Sequence, residues 1–161
     1  MTDLTQRSEQ LAKLLLQQQK LLAVAESCTG GWLAKCLTDL PGSSAWFDRG
    51  FVTYSNAAKQ DMLGVPAETL AQHGAVSEAV VAAMARGALQ HSAAEIAVSI
   101  SGIAGPGGEV PGKPLGTVCF GLATDQEIQL DTQHFEGDRE AVRRQSVMHA
   151  LTRLIDVLER G

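Results

Sequence analysis

The sequence predicts a single three-layer α/β/α domain with a mixed sheet, spanning residues 1–161. Three observations lead there. Short apolar segments alternate with stretches of helical spacing through the first hundred residues, two of those segments break into glycine-rich turns, and a hairpin followed by one long amphipathic helix closes the chain.

The elements follow in order. Leu11, Leu14 and Leu15 lie among good helix formers and predict an opening amphipathic helix from Leu4 to about Gln19. Leu21 to Ala25 is a short apolar run, read as a buried strand. Trp32, Leu33, Cys36, Leu37 and Leu40 then recur at helical spacing up to Pro41-Gly42. Trp46 to Tyr54 is aromatic and β-branched enough for a second strand, with Asn56 as the expected cap of a short helix that carries Lys59. Gly64 stops that helix, Pro66 and Gly74 bracket another, and Ser77-Glu78 opens a longer one with Val80, Val81, Met84 and Leu89 as its buried positions. Ile96, Val98 and Ile100 mark a third strand that runs into the glycine-rich segment Gly102 to Gly108. Leu115 to Thr124 and Ile128 to Phe135 form the hairpin, and Leu151, Leu154, Ile155 and Leu158 place the last helix from Asp138 onward.

Composition narrows the function. With 13 basic and 18 acidic residues the net charge is −5, and no basic footprint for a phosphate backbone exists, so nucleic acid is not an expected partner. No apolar run approaches the roughly 18 residues of a membrane span, and the N-terminus lacks a secretory pattern. A cytoplasmic protein without a membrane partner is expected. The three cysteines, Cys28, Cys36 and Cys119, form no C-x-x-C pair, and the four histidines show no ligand spacing, so no metal site is expected.

Gly107 to Lys113 matches the letters of a phosphate-binding G-x-x-x-x-G-K loop, but Pro114 stands where a hydroxyl belongs and a strand follows where the motif needs a helix. The loop reads as a lid or pocket wall.

The turn Glu26-Ser27-Cys28-Thr29-Gly30-Gly31 leaves a strand and enters a helix, which sets two hydroxyls and a thiol at one point beside unpaired helix N–H groups. Thr29 can also be a simple cap and Ser27 a turn residue. For a serine to attack an amide, a base must take its proton. Lysine serves if burial disfavours its charged form, and Lys59 is the best placed, the alternative being an exposed helix lysine. Arg139 and Arg143 lie one turn apart at the start of the last helix, suited to an anionic group or to a solvated helix start.

Four ordered motifs, Ala25-Glu26-Ser27-Cys28-Thr29-Gly30-Gly31, Gly50 to Asn56 with Lys59 following, Ser99 to Pro106, and Phe135 to Arg139, closely resemble the CinA C-terminal domain family. The resemblance implies hydrolysis of the carboxamide of nicotinamide mononucleotide (NMN), giving nicotinate mononucleotide and ammonia in pyridine-nucleotide recycling, with no metal or organic cofactor. It implies Ser27 as nucleophile, Lys59 as base and Tyr54 as a catalytic neighbour of the pair, its hydroxyl helping proton transfer or orienting the amide. It further implies Ser101 where relatives often carry threonine, and Arg139 as a binder of phosphate or a support of the catalytic pair. On this reading Thr29, Gly30, Gly31, Ser101, Gly102, Arg139 and Arg143 bind substrate, with turn N–H groups around Thr29 to Gly31 stabilising an oxyanion. A homo-oligomer is expected. The competing expectation is a non-catalytic nucleotide- or partner-binding module linked to competence or DNA damage.

Overall fold

The computed structural model describes residues 2–161. Its five strands form one mixed sheet in the order β2-β1-β3-β4-β5, with β1 parallel to both neighbours and the later pairs antiparallel. The strands are β1 (Leu22–Glu26), β2 (Phe47–Val52), β3 (Ile96–Gly102), β4 (Thr117–Thr124) and β5 (Ile128–His134). The helices are α1 (Asp3–Gln18), α2 (Trp32–Thr38), α3 (Asn56–Leu63), α4 (Ala67–His73), α5 (Glu78–Gln90) and α6 (Arg139–Arg160).

The apolar pattern explains the layering. Every residue of β1 is buried, and so are all but the last residues of β3 and β4, because helices cover both faces of these central strands. On one face Leu11 and Leu15 of α1, Leu33 and Leu37 of α2, and Leu151, Leu154 and Leu158 of α6 pack with Trp46 and Phe120. On the other, Leu63 at the end of α3, Leu70 of α4, and Val80, Val81 and Met84 of α5 pack on the opposite sides of β1 and β3. Each leucine buried in this way contributes about 2 kcal/mol of transfer free energy. Edge strands β2 and β5 are only partly covered, in line with their more polar sequences.

The boundaries moved in small, explicable ways. The first strand begins at Leu22 and takes in Glu26, whose backbone is paired with Val52 and Ile100 even though its side chain is acidic. The second strand is shorter than its apolar span: Trp46 follows a 3₁₀ turn, and Thr53 and Tyr54 lie beyond the last pair. Ser55, not Asn56, caps α3, its hydroxyl accepting the Ala58 N–H at 3.0 Å. Leu89 is half-buried. None of the helices among the described residues is long and apolar enough to cross a membrane.

Chain direction places the site. The connection from β1 to β2 runs through α2 on one face, and the connection from β2 to β3 runs through α3, α4 and α5 on the other. The carboxyl end of β1 is therefore the point where the sheet order reverses, the usual location of a crevice in open α/β sheets. The segments that leave β1, β2 and β3 there carry Ser27, Thr53-Tyr54 and Gly102-Ile103.

Candidate active site

A cleft of about 300 Å³ opens at this reversal, walled by the β1 turn, the segment after β2 and the glycine-rich loop after β3. That is the lower end of the range found for small-molecule sites. Ser27, Cys28, Tyr54, Lys59, Ser101, Gly102 and Arg139 all line it.

Lys59 is the most unusual of these residues. Its side chain is 1 % exposed, although it sits on a helix only eight residues long. The amine nitrogen lies 3.0 Å from the Ser27 hydroxyl oxygen and donates to two backbone carbonyls, Thr53 at 2.8 Å and Tyr54 at 3.2 Å. Among the described residues it has no ion-pair partner. Burial without a counter-charge lowers its pKa below the ordinary lysine range. The Ser55 cap aims this helix: it fixes the first turn of α3, and the Lys59 N–H bonds back to the Ser55 carbonyl at 3.1 Å, one turn below the amine.

The other cleft residues divide by chemistry. Cys28 beside Ser27 is buried, and desolvation pushes its thiol up to about 11 despite hydrogen bonds from its own N–H and that of Gly102, so it stays protonated at neutral pH. Ser101 is 1 % exposed on the wall formed by β3. Tyr54 is 59 % exposed at the rim, and its hydroxyl accepts a hydrogen bond from Arg139 at 3.0 Å; neither Ser27 nor Lys59 bonds to that hydroxyl. Arg139 also donates to the Gly105 carbonyl at 2.9 Å, so one guanidinium ties the segment after β2 to the glycine loop across the mouth. Thr53 follows β2 directly, and its buried hydroxyl has no hydrogen-bond partner among the described residues.

The model of the CinA C-terminal domain matches residues 4–158. The chain belongs to the CinA C-terminal domain family. It is 57 % identical over 154 residues to a protein of Escherichia coli K12 named nicotinamide-nucleotide amidohydrolase PncC, covering 95 % of this chain and 93 % of that one. It is 47 % identical over 157 residues to the protein of the same name from Pseudomonas putida, covering 98 % of each. A crystal structure of a CinA superfamily protein from Klebsiella pneumoniae superimposes with a TM-score of 0.96 at 41 % identity, over 99 % of this chain and 100 % of that one.

Within this CinA-family site, four residues expected to bind substrate lie elsewhere. Thr29, Gly30, Gly31 and Arg143 line a separate open hollow with Trp32, Lys35 and Glu140. Thr29 is fully buried and spends its hydroxyl on Glu26, to which it donates at 2.6 Å. Gly30 and Gly31 have φ of 59° and 102°, so their conformational freedom serves the tight turn, and a Cβ on Gly30 would sit 3.3 Å from the Arg143 guanidinium. Arg143 donates to the Cys28 carbonyl at 3.0 Å and the Thr29 carbonyl at 3.2 Å, with its guanidinium 5.7 Å from the centre of the Trp32 ring. It braces the turn from behind. Arg139 and Arg143 share a helix face, yet one points to the cleft mouth and the other to the far side of the turn.

Two of the expected oxyanion donors are engaged within the turn. The Gly30 N–H bonds to the Ser27 carbonyl, and the Gly31 N–H goes to Glu26. Sequence reasoning missed Glu26 altogether. The available signal was an acidic residue at the end of an otherwise apolar buried strand, which must find donors when it folds.

Proposed function

We propose that this chain hydrolyses the carboxamide of NMN to nicotinate mononucleotide and ammonia, with Ser27 as nucleophile and Lys59 as general base. The observation that carries the reading is the three-way environment of the Lys59 nitrogen. A neutral amine has two N–H groups and one lone pair. With the two N–H groups occupied by the Thr53 and Tyr54 carbonyls, the lone pair is left for the Ser27 hydroxyl 3.0 Å away. Similarity to relatives named nicotinamide-nucleotide amidohydrolase supports the substrate.

On this reading the Ser27 oxygen attacks the carboxamide carbon as its proton passes to Lys59. The resulting ammonium gives that proton to the departing nitrogen, ammonia leaves, and an ester of Ser27 remains. Water then attacks the ester with Lys59 again taking a proton, which returns to the Ser27 oxygen as the ester bond breaks, and the acid formed gives its remaining proton to the released ammonia and departs as the carboxylate. Ser101 on the wall donates to the carboxamide oxygen. The Arg139 guanidinium, held at the mouth by Tyr54 and Gly105, takes the phosphate in the bidentate manner to which it is suited. The reaction belongs to recycling of pyridine nucleotides in the cytoplasm, by a homo-oligomer that needs neither cofactor nor nucleic acid.

The test is incubation of wild type and Ser27→Ala with NMN, following nicotinate mononucleotide by chromatography and ammonia by a coupled assay. Turnover by wild type and none by Ser27→Ala is the expected result. Equal turnover by both would remove Ser27 from the mechanism, and binding of NMN without product would favour a non-catalytic binding module.

A further inference from the structure

The carboxylate of Glu26 is 0 % exposed and adjoins Ser27 in the chain, yet it takes part in no ion pair among the described residues. Its charge is held by donors from the turn and helix that follow. One oxygen accepts from the Thr29 hydroxyl at 2.6 Å and from the N–H groups of Gly31 at 3.2 Å and Leu33 at 3.0 Å, and the other accepts the Ala34 N–H at 3.0 Å.

This is an unusual way to close a helix. Helix α2 starts behind Gly31, which offers no side-chain cap. A serine or aspartate at that position would satisfy the orphan N–H groups locally and leave residues 27–30 free to hinge. Glu26 satisfies them from the strand side, so a single side chain spans the whole turn. Ser27 lies in a loop with both ends fastened to the preceding residue.

The same residue sets the position of the base. Its carbonyl accepts the Thr53 N–H at 2.9 Å, and the Thr53 carbonyl accepts the Lys59 amine at 2.8 Å. From Glu26 one path runs along the chain to the Ser27 hydroxyl, and the other runs through Thr53 to the Lys59 amine.

We infer that Glu26 is a positioning residue that holds Ser27 against Lys59 by fastening the β1–α2 turn to the end of β1. The inference rests on the Ser27 and Lys59 reading above. A buried hydrogen-bonded charge is strongly coupled to its donors, and small displacements of a nucleophile cost about 10²-fold in rate.

The experiment compares wild type, Ser27→Ala, Glu26→Gln and Asp131→Asn. The last loosens β5 from α6, away from the cleft, and serves as the stability control. With NMN, Glu26→Gln is expected to lose about 10²-fold in kcat with KM within about threefold, while Asp131→Asn, melting earlier than wild type, keeps kcat. If Glu26→Gln keeps kcat within about threefold of a wild type that needs Ser27, or if Asp131→Asn loses as much, the inference is overturned.

If wild type does not hydrolyse NMN, the functional reading fails by itself. Glu26 is then judged by the rate at which a fluorophosphonate captures the Ser27 oxygen with loss of fluoride. A rate about tenfold lower in Glu26→Gln supports the role, whereas equal rates, or no capture in wild type, overturn it. Should Glu26→Gln not fold, Glu26→Asp keeps the charge, shortens its reach by one methylene, and is read against the same thresholds.

Discussion

The amine of Lys59 and the hydroxyl of Ser27, 32 residues apart in the chain, meet at 3.0 Å inside the protein, with no carboxylate paired to the amine among the described residues. The pair is assembled by two parallel strand ends and one short helix, and each prediction below tests part of that assembly or its support.

On the proposed mechanism the neutral Lys59 amine is the base, and burial lowers the Lys59 pKa, so that base would become available at lower pH than for an exposed lysine. The value of kcat/KM for NMN should rise with pH through the depressed pKa and then level off, and a flat profile would exclude Lys59 as the base. Lys59→Arg keeps the charge but cannot deprotonate, and a loss of about 10²–10⁴ in kcat is expected from steady-state kinetics.

Arg139 at the mouth should govern affinity for the phosphate. In Arg139→Ala the KM for NMN should rise by about 10–100-fold, the loss of one charge-assisted bidentate contact worth about 1.5–3 kcal/mol. Turnover of the nucleoside that lacks the phosphate should change far less. A matched loss on both substrates would mean that Arg139 acts by bracing Tyr54 and the Gly105 loop.

Helix α3 is seated by a close approach at Gly87 of α5, where an added Cβ would lie 2.0 Å from the carbonyl oxygen of Leu63. Leu63 stands one turn after Lys59, and backbone cannot yield as a flexible side chain can. Gly87→Ala should cost about 1–3 kcal/mol, a drop of roughly 3–10 °C in Tm by calorimetry, and should lower kcat by displacing the lysine. An unchanged Tm would show that α3 is not pinned there.

On the far side of the sheet, His149 contacts Asp131 at 2.8 Å and Arg153 lies 3.7 Å from its other oxygen. Burial raises the Asp131 pKa, but hydrogen bonds from His149 and Gln133 and the nearby charges outweigh it, and the net shift is downward. A carboxylate with a depressed folded pKa stabilises the fold above its unfolded pKa and loses that contribution as pH falls through the folded value. Asp131→Asn should therefore lower Tm by a few degrees at pH 7, and the gap to wild type should close in acid. A constant gap across pH would mean that the carboxylate charge contributes nothing.

Much of the fold was legible in local sequence. The unbroken apolar run of β1 and the alternation of strand and helix signals foretold a buried strand and helices on both faces of a sheet. Gly64, Gly74, Ser77 and Asp138 acted as the stops and caps that their chemistry suggests. The site was legible less evenly. The motifs brought forward Ser27, Lys59, Tyr54, Ser101, Gly102 and Arg139, all of which line one cleft. They also brought forward Thr29, Gly30, Gly31 and Arg143, which support the turn from outside that cleft. Spacing cannot separate these groups, because neighbours in a tight turn point in opposite directions within three or four residues.

Periodicity, caps and breakers are local, so the chain itself determined its elements, its layer count and the hydroxyl at the end of β1. Whether Lys59 was an exposed helix lysine or a buried amine, and whether the α2 amides faced a ligand or the Glu26 carboxylate, was decided only when distant segments packed. Burial and pairing belong to the assembled sheet: Thr53 reaches Lys59 and Glu26 at once because β2 lies beside β1, a juxtaposition that arises only on folding.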